Sequence, residues 1–391
     1  MTHQKKRLCY ICLLINSLFN GLVFYAPVAL LVRTRVGLSI SDFFYLQVIL
    51  SASILILEIP AGILSDKIGY KKTIIISQGV LLVARIILAN ARHFALFAVE
   101  AALEGFSASL LSGTTSSYIY SFYKEEEYPL ISSKIGNWGT IGFLISTVLY
   151  GILLPIIDVI GLLNLTCITS LGAIISVLFL PAIECTPTSE SSNMMPPSTI
   201  RKLFPASLFF FVVPLSAFSI AGLIINFFYT SKAESVGLPY EMLSLIILGY
   251  SAVELLAPVI IKRIKKPLYW HCIRIVSVVI AICFLLLFGL QSFVCIPIML
   301  TLPLLSAVAY PILEELVNER IDELGLDNHR AAVLSILSMG NNLLDILFLI
   351  ISALLSENDG CVAFLFVAIY FCVLAIFVRV CLLKNQRKPT V

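Results

Sequence analysis

GILSDKIGYKKT, Gly62 to Thr73, is the stretch that decides how this chain is read. One Asp, three Lys and two Gly fall within it, yet both flanks are almost pure hydrocarbon. VILSASILILEIP runs up to Pro60, and TIIISQGVLLVARIIL runs on from Thr73. A turn between water-exposed helices would be polar over a wider span. This one reads as a tight hairpin whose charges gather at a single membrane surface.

Composition agrees. The 391 residues are 59% hydrophobic and 13% charged, with mean hydropathy +1.01, whereas soluble domains carry about 25% charged residues. Such a chain cannot cover a globule with polar surface. Segments of about 20 apolar residues, the length that crosses about 30 Å of hydrocarbon, recur throughout. Twelve spans are expected: 8–32, 43–65, 73–91, 93–120, 133–157, 161–181, 203–229, 241–261, 268–290, 293–317, 331–355 and 361–383. An even number puts both termini on one side.

Charge asymmetry chooses the side. With cytoplasmic termini, nineteen of the 26 Lys and Arg fall at inner ends of spans, and four, Arg33, Arg35, Arg92 and Lys232, at outer ends. Positive charge concentrates on the cytoplasmic side of membrane proteins. The N-terminal KKR and apolar run imitate a signal peptide, but the run is too long and no small-residue cleavage site follows. The ten cysteines lie mostly in apolar runs and act as small hydrophobes. Cys9 and Cys12 form a C-x-x-C without a thioredoxin-like context, so a packing role is expected.

Residues 183–202, rich in Ser, Thr and Pro, read as a cytoplasmic linker between two six-span bundles, 1–182 and 203–391. The halves echo each other. Val36-Gly37-Leu38 recurs as Val236-Gly237-Leu238. Glu58 with Lys67-Ile68 aligns with Glu254 and Arg263-Ile264, and Gly136-Asn137 has a counterpart in Gly340-Asn341. In order and on equivalent spans, these matches suggest a parallel internal duplication of the kind found in transporters.

The motif Gly62-x-Leu64-Ser65-Asp66-Lys67-x-Gly69-Tyr70-Lys71 resembles the loop between helices two and three of the major facilitator superfamily. Glu58-Ile-Pro60-Ala-Gly62 is similar to the lead-in of a bacterial drug-efflux subgroup, and Arg330-Ala-Ala-Val-Leu-Ser335 is similar to that subgroup as well. Tyr70 departs from a usual basic residue, and Ala101 and Glu104 depart from the R-x-x-Q-G pattern of span four. In physical terms, Gly62 allows close helix approach, Gly69 allows the positive φ of a tight turn, and Asp66 can accept from the N–H groups of a helix start. The resemblance implies that Asp66 latches the cytoplasmic side against helix eleven, with Lys67 and Lys71 beside it. It further implies an all-α membrane protein of twelve helices in two pseudo-symmetric bundles.

Ionisable groups inside spans cost at least about 2.5–3.5 kcal/mol at the helix centre, so each needs a partner or a purpose. Glu100 and Glu104 share one face of span four, roughly 10 and 16 Å from its outer end at about 1.5 Å per residue. Arg85 on span three lies level with Glu100, and an Arg85–Glu100 ion pair is expected. That leaves Glu104 as the proton carrier. Glu58, Glu254 and Asp345 are the other buried acids. Asn20, Tyr25, Gln47, Asn341 and Asn342 are candidate substrate contacts.

No phosphate-cradling loop, H-E-x-x-H or G-x-S-x-G occurs, so no enzyme, cofactor or metal is expected. The expectation is a monomeric secondary active transporter of the plasma membrane, working in the lipid bilayer with no nucleic acid partner. It would move a small molecule with protons or another coupling ion, foremost in efflux of drug-like, partly apolar compounds. The alternatives are proton-coupled uptake or exchange of a metabolite and, from another class, a non-transporting membrane sensor.

Overall fold

The computed structural model describes residues 3–123, 127–182, 206–254, 256–325, 330–355 and 361–386, and they are all-helical. The expected linker at 183–202 lies outside them. Contacts divide the chain into two compact units, Met1–Leu38 with Tyr45–Asn193, and Ser39–Phe44 with Met194–Val391.

The first unit is built from α1 (His3–Gly21), α2 (Ala29–Thr34), most of α3 (Ile40–Ile68), α4 (Tyr70–Asn90), α5 (Phe94–Leu111), α6 (Thr114–Phe122) and α7 (Glu127–Leu178). The first span is broken. α1 stops at Gly21, and a turn and a short 3-10 segment, Ala26–Val28, lead into α2. Pro27 explains part of this, since it lacks an N–H and its ring clashes with the carbonyl four residues back. The freed backbone is satisfied from the far end of α7: the Phe24 N–H donates to Thr166 Oγ1 at 3.1 Å, and Thr169 Oγ1 donates to the Leu22 carbonyl at 3.2 Å.

α7, at 52 residues, would extend about 78 Å if straight. It is two helices meeting at Asp158, whose φ of 57° and ψ of 177° are non-helical. The contacts of α1 show that the two run oppositely. Going along α1, Ser17 and then Gly21 meet Gly139 and Gly142–Phe143. On the other arm the order reverses: Asn16 bonds Ala173, Phe19 covers Gly172 and Leu22 meets Thr169. Close approach on the first arm needs glycine. A Cβ on Gly21 would sit 2.1 Å from the Gly139 oxygen, and one on Gly142 would sit 2.3 Å from the Leu18 oxygen. With α7 unbroken, eleven helices among the described residues are long and apolar enough to cross a membrane, one fewer than the twelve spans expected. The break at Asp158 falls between the expected spans 133–157 and 161–181.

The second unit contains α8 (Ala206–Ser235), α9 (Leu243–Glu254), α10 (Ala257–Ile261), α11 (Tyr269–Gly289), α12 (Cys295–Glu323), α13 (Arg330–Leu355) and α14 (Cys361–Gln386). Aromatic packing ties several together: Phe210 stacks on Phe377 at 4.7 Å and meets Trp270 at 5.3 Å, and Phe218 meets Phe371 edge-on. The repeated Val-Gly-Leu is the same stop signal in each unit. Gly37 has φ 90° and Gly237 φ 81°. In each case the Gly N–H bonds three residues back (Thr34, Glu234) and the Leu N–H five residues back (Arg33, Ala233), the paired bonds of a Schellman cap.

Candidate functional site

α5 presents Phe97, Glu100 and Glu104 at helical spacing, and the buried end of the first span meets them. Arg33 Nη2 donates to Glu100 Oε2 at 3.1 Å, with side-chain exposures of only 7% and 3%. The guanidinium also donates to the Ala29 carbonyl at 2.9 Å and lies 5.7 Å from the centre of the Phe97 ring. The pairing of Glu100 with Arg85 expected from sequence is therefore not what the structure holds. Arg85 is buried and donates instead to Ser170 Oγ and to the Asn20 carbonyl.

The reason is the break in the first span. The turn and 3-10 segment carry Arg33 inward and onto α5, so a residue one position past the expected span end becomes a buried cation. Glu104 sits one turn on from Glu100, near enough for the two carboxyls to interact, and is half-buried. Among the described residues it has no ion pair. Tyr25 lies within the field of all four charged groups, Glu104, Glu100, Arg85 and Arg33. Asn20, whose side-chain amide donates to Asn16, keeps its own Oδ1 buried without a partner. One guanidinium thus touches one of two neighbouring carboxyls. A phenol, that of Tyr25, stands near both carboxyls.

The second unit carries its own polar site. Ser216 and Ser219 on α8 each donate to Asp345 of α13 at 2.7 Å, and Asn341 Nδ2 donates to it at 3.3 Å. A cavity of about 360 Å³ opens beside Asn341, lined also by Tyr310, Glu314, Asn318, Ser338 and Leu215, within the usual range for small-molecule pockets.

The remaining expected residues separate. Asn342, three residues before Asp345, is half-buried and makes no hydrogen bond to it among the described residues. Glu58 and Gln47 on α3 are half-buried and outside both clusters, and Glu254 is exposed at the end of α9. In the opening motif, Gly69 has φ 90° and starts α4, as the turn reading requires. Gly62 is not a point of close approach: it is exposed, and a Cβ there would meet nothing described within 4 Å. Lys67 is exposed and Lys71 half-buried, while the Asp66 side chain lies outside the described residues. Of the four charges assigned to outer ends, Arg33 and Lys232 are buried, and Lys232 donates to the Leu290 carbonyl at the end of α11. Sequence reading missed Arg33, Ser170, Ser216 and Ser219. The i, i+3 spacing of the last two was the available signal.

The fold has close structural parallels. The crystal structure of the nucleoside transporter NupG superimposes with TM-score 0.73 at 17% identity, covering 97% of this chain and 99% of that one. A single-substitution variant of the same transporter gives TM-score 0.76 at 16% identity, covering 95% and 99%. No curated protein matches the chain by sequence. The sequence profile described as Major Facilitator Superfamily matches residues 9–326, and this chain belongs to that superfamily.

Proposed function

We propose that this chain is a secondary transporter, working by alternating access, that moves a small polar molecule together with a proton. The observation that carries the reading is the cluster on α5, where Arg33 engages Glu100 and leaves Glu104 with no ion pair among the described residues. Glu104 takes the proton, and Arg33 pairs with Glu100 beside it. Twelve spans in two bundles joined through 183–202, with both termini cytoplasmic in the plasma membrane, complete the proposal. The hairpin break at Asp158 supports the count.

A polar metabolite of nucleoside size is the preferred substrate class. The cavity beside Asn341 offers hydroxyl, amide and carboxyl groups, which reward a hydrogen-bonding ligand and penalise one that leaves them unpaired. The likeness to a nucleoside transporter points the same way. A second reading, efflux of partly apolar compounds, draws on Glu58-Ile-Pro60-Ala-Gly62. Uptake into proteoliposomes under an imposed inward proton gradient, run with a nucleoside panel and a cationic dye panel, separates them. Gradient-stimulated nucleoside uptake supports the first. Dye movement against the proton flow, without nucleoside uptake, overturns it.

A further inference from the structure

Asp345 is 8% exposed, in the interior of a helix apolar enough to span a membrane. No Lys, Arg or His lies within 4 Å of it among the described residues. Three donors point at its carboxyl, from Ser216, Ser219 and Asn341. In its ionised form the carboxylate accepts from all three donors, and an uncompensated charge within a span is costly. A bound cation would balance that form, since no side-chain cation among the described residues pairs with it.

The groups present suit a hard cation. Ser216 and Ser219 stand at i, i+3 on α8, and Asn341 and Asp345 at i, i+4 on α13, so each pair occupies one face and the two faces meet. The Ser219 oxygen keeps its lone pairs while donating to the carboxylate, and the Ser216 hydroxyl also meets that of Tyr370. The Asn341 Oδ1 is buried and has no partner, and half a turn of the amide exchanges Nδ2 for Oδ1 toward the carboxylate. All the ligands are then oxygens, the donor set of hard cations. A single carboxylate balances one positive charge, and a divalent ion would leave a net charge in the span. Asn341 also lines the cavity, which gives an ion a route to the site. The titratable groups facing Asp345 from neighbouring helices are Tyr310 and Tyr370, and neither is a cation.

We propose that Asp345, Ser216, Ser219 and Asn341 form a sodium site in the second unit, separate from the proton carrier on α5. The experiment is equilibrium binding of radiolabelled sodium to the purified full chain, with choline keeping ionic strength constant. One saturable site is expected, displaced by lithium and poorly by potassium. Asp345→Asn should abolish it. Ser219→Ala, which keeps the carboxylate and is the milder change, should weaken it about tenfold or more. That variant decides the matter if Asp345→Asn does not fold.

Absence of saturable sodium binding to the wild type overturns the proposal and leaves Asp345 to a proton or to packing. Binding unchanged in both variants overturns it as well. Measuring sodium binding in Glu104→Gln distinguishes this proposal from the proton reading. Retained binding supports a separate site, and loss there would place the ion elsewhere and overturn the assignment.

Discussion

Arg33→Gln is the sharpest perturbation of the charged cluster. At 3.1 Å and an effective dielectric of about 20, the Arg33–Glu100 attraction is about 5 kcal/mol before desolvation. Breaking a buried pair by removing one partner typically costs about 3–5 kcal/mol, because the other charge is stranded. The structure ranks the variants within that range. Arg33→Gln leaves Glu100 and Glu104 interacting with no cation in contact, so it belongs at the upper end. Glu100→Gln leaves Arg33 its bond to the Ala29 carbonyl and its place over the Phe97 ring, so it should cost less. Arg85→Gln removes hydrogen bonds to Ser170 and Asn20, a loss of about 1.5–3 kcal/mol for a charged donor. The double variant Arg33→Gln, Glu100→Gln should recover a good part of the loss. Denaturant unfolding of the detergent-solubilised protein gives all four values in one series. Arg85→Gln costing more than Arg33→Gln, or a double variant that merely sums the singles, would refute the assignment of Arg33 as the partner of Glu100.

Gly21→Ala should destabilise by about 1–3 kcal/mol or more, because the new methyl meets backbone that cannot yield. Gly79→Ala, with open space around it, should be neutral or slightly stabilising by the same unfolding assay. Thr166→Ala removes the acceptor for the Phe24 N–H and should cost about 1–3 kcal/mol, read by the same assay, with faster hydrogen exchange in the break of the first span. A single cysteine at exposed Lys265, in a cysteine-free background, should react with an impermeant reagent only in inverted vesicles. Labelling from outside intact cells would reverse the proposed orientation.

The hydrocarbon pattern made the membrane helices legible, because only helices or closed barrels satisfy backbone groups in lipid. The Val-Gly-Leu repeats were legible too, since a positive-φ glycine after a helix leaves a short local mark. The partner of Glu100 was not. Counting depth along straight helices put Arg85 level with Glu100. A break caused by Pro27, and satisfied from Thr166 and Thr169 some 140 residues away, instead brought Arg33 onto α5. Lys232 was legible only in part. A lysine at the end of a span reads as an outer anchor, and this one is also buried, donating to the carbonyl of Leu290 just past α11. At Gly62 small size permits close approach without requiring it, and nothing described lies within 4 Å of a Cβ there. The oxygen cluster at Asp345 was half visible, because hydroxyls at 216 and 219 gain meaning only once α8 and α13 are known to face each other.

The most direct test of proton coupling is Glu104→Gln in proteoliposomes, with gradient-driven uptake and substrate counterflow measured on the same preparation. The account predicts that uptake no longer responds to an imposed pH gradient while counterflow persists, since the amide keeps the shape of a carboxyl fixed in its protonated form. Gradient-driven uptake at the wild-type rate in that variant would contradict it.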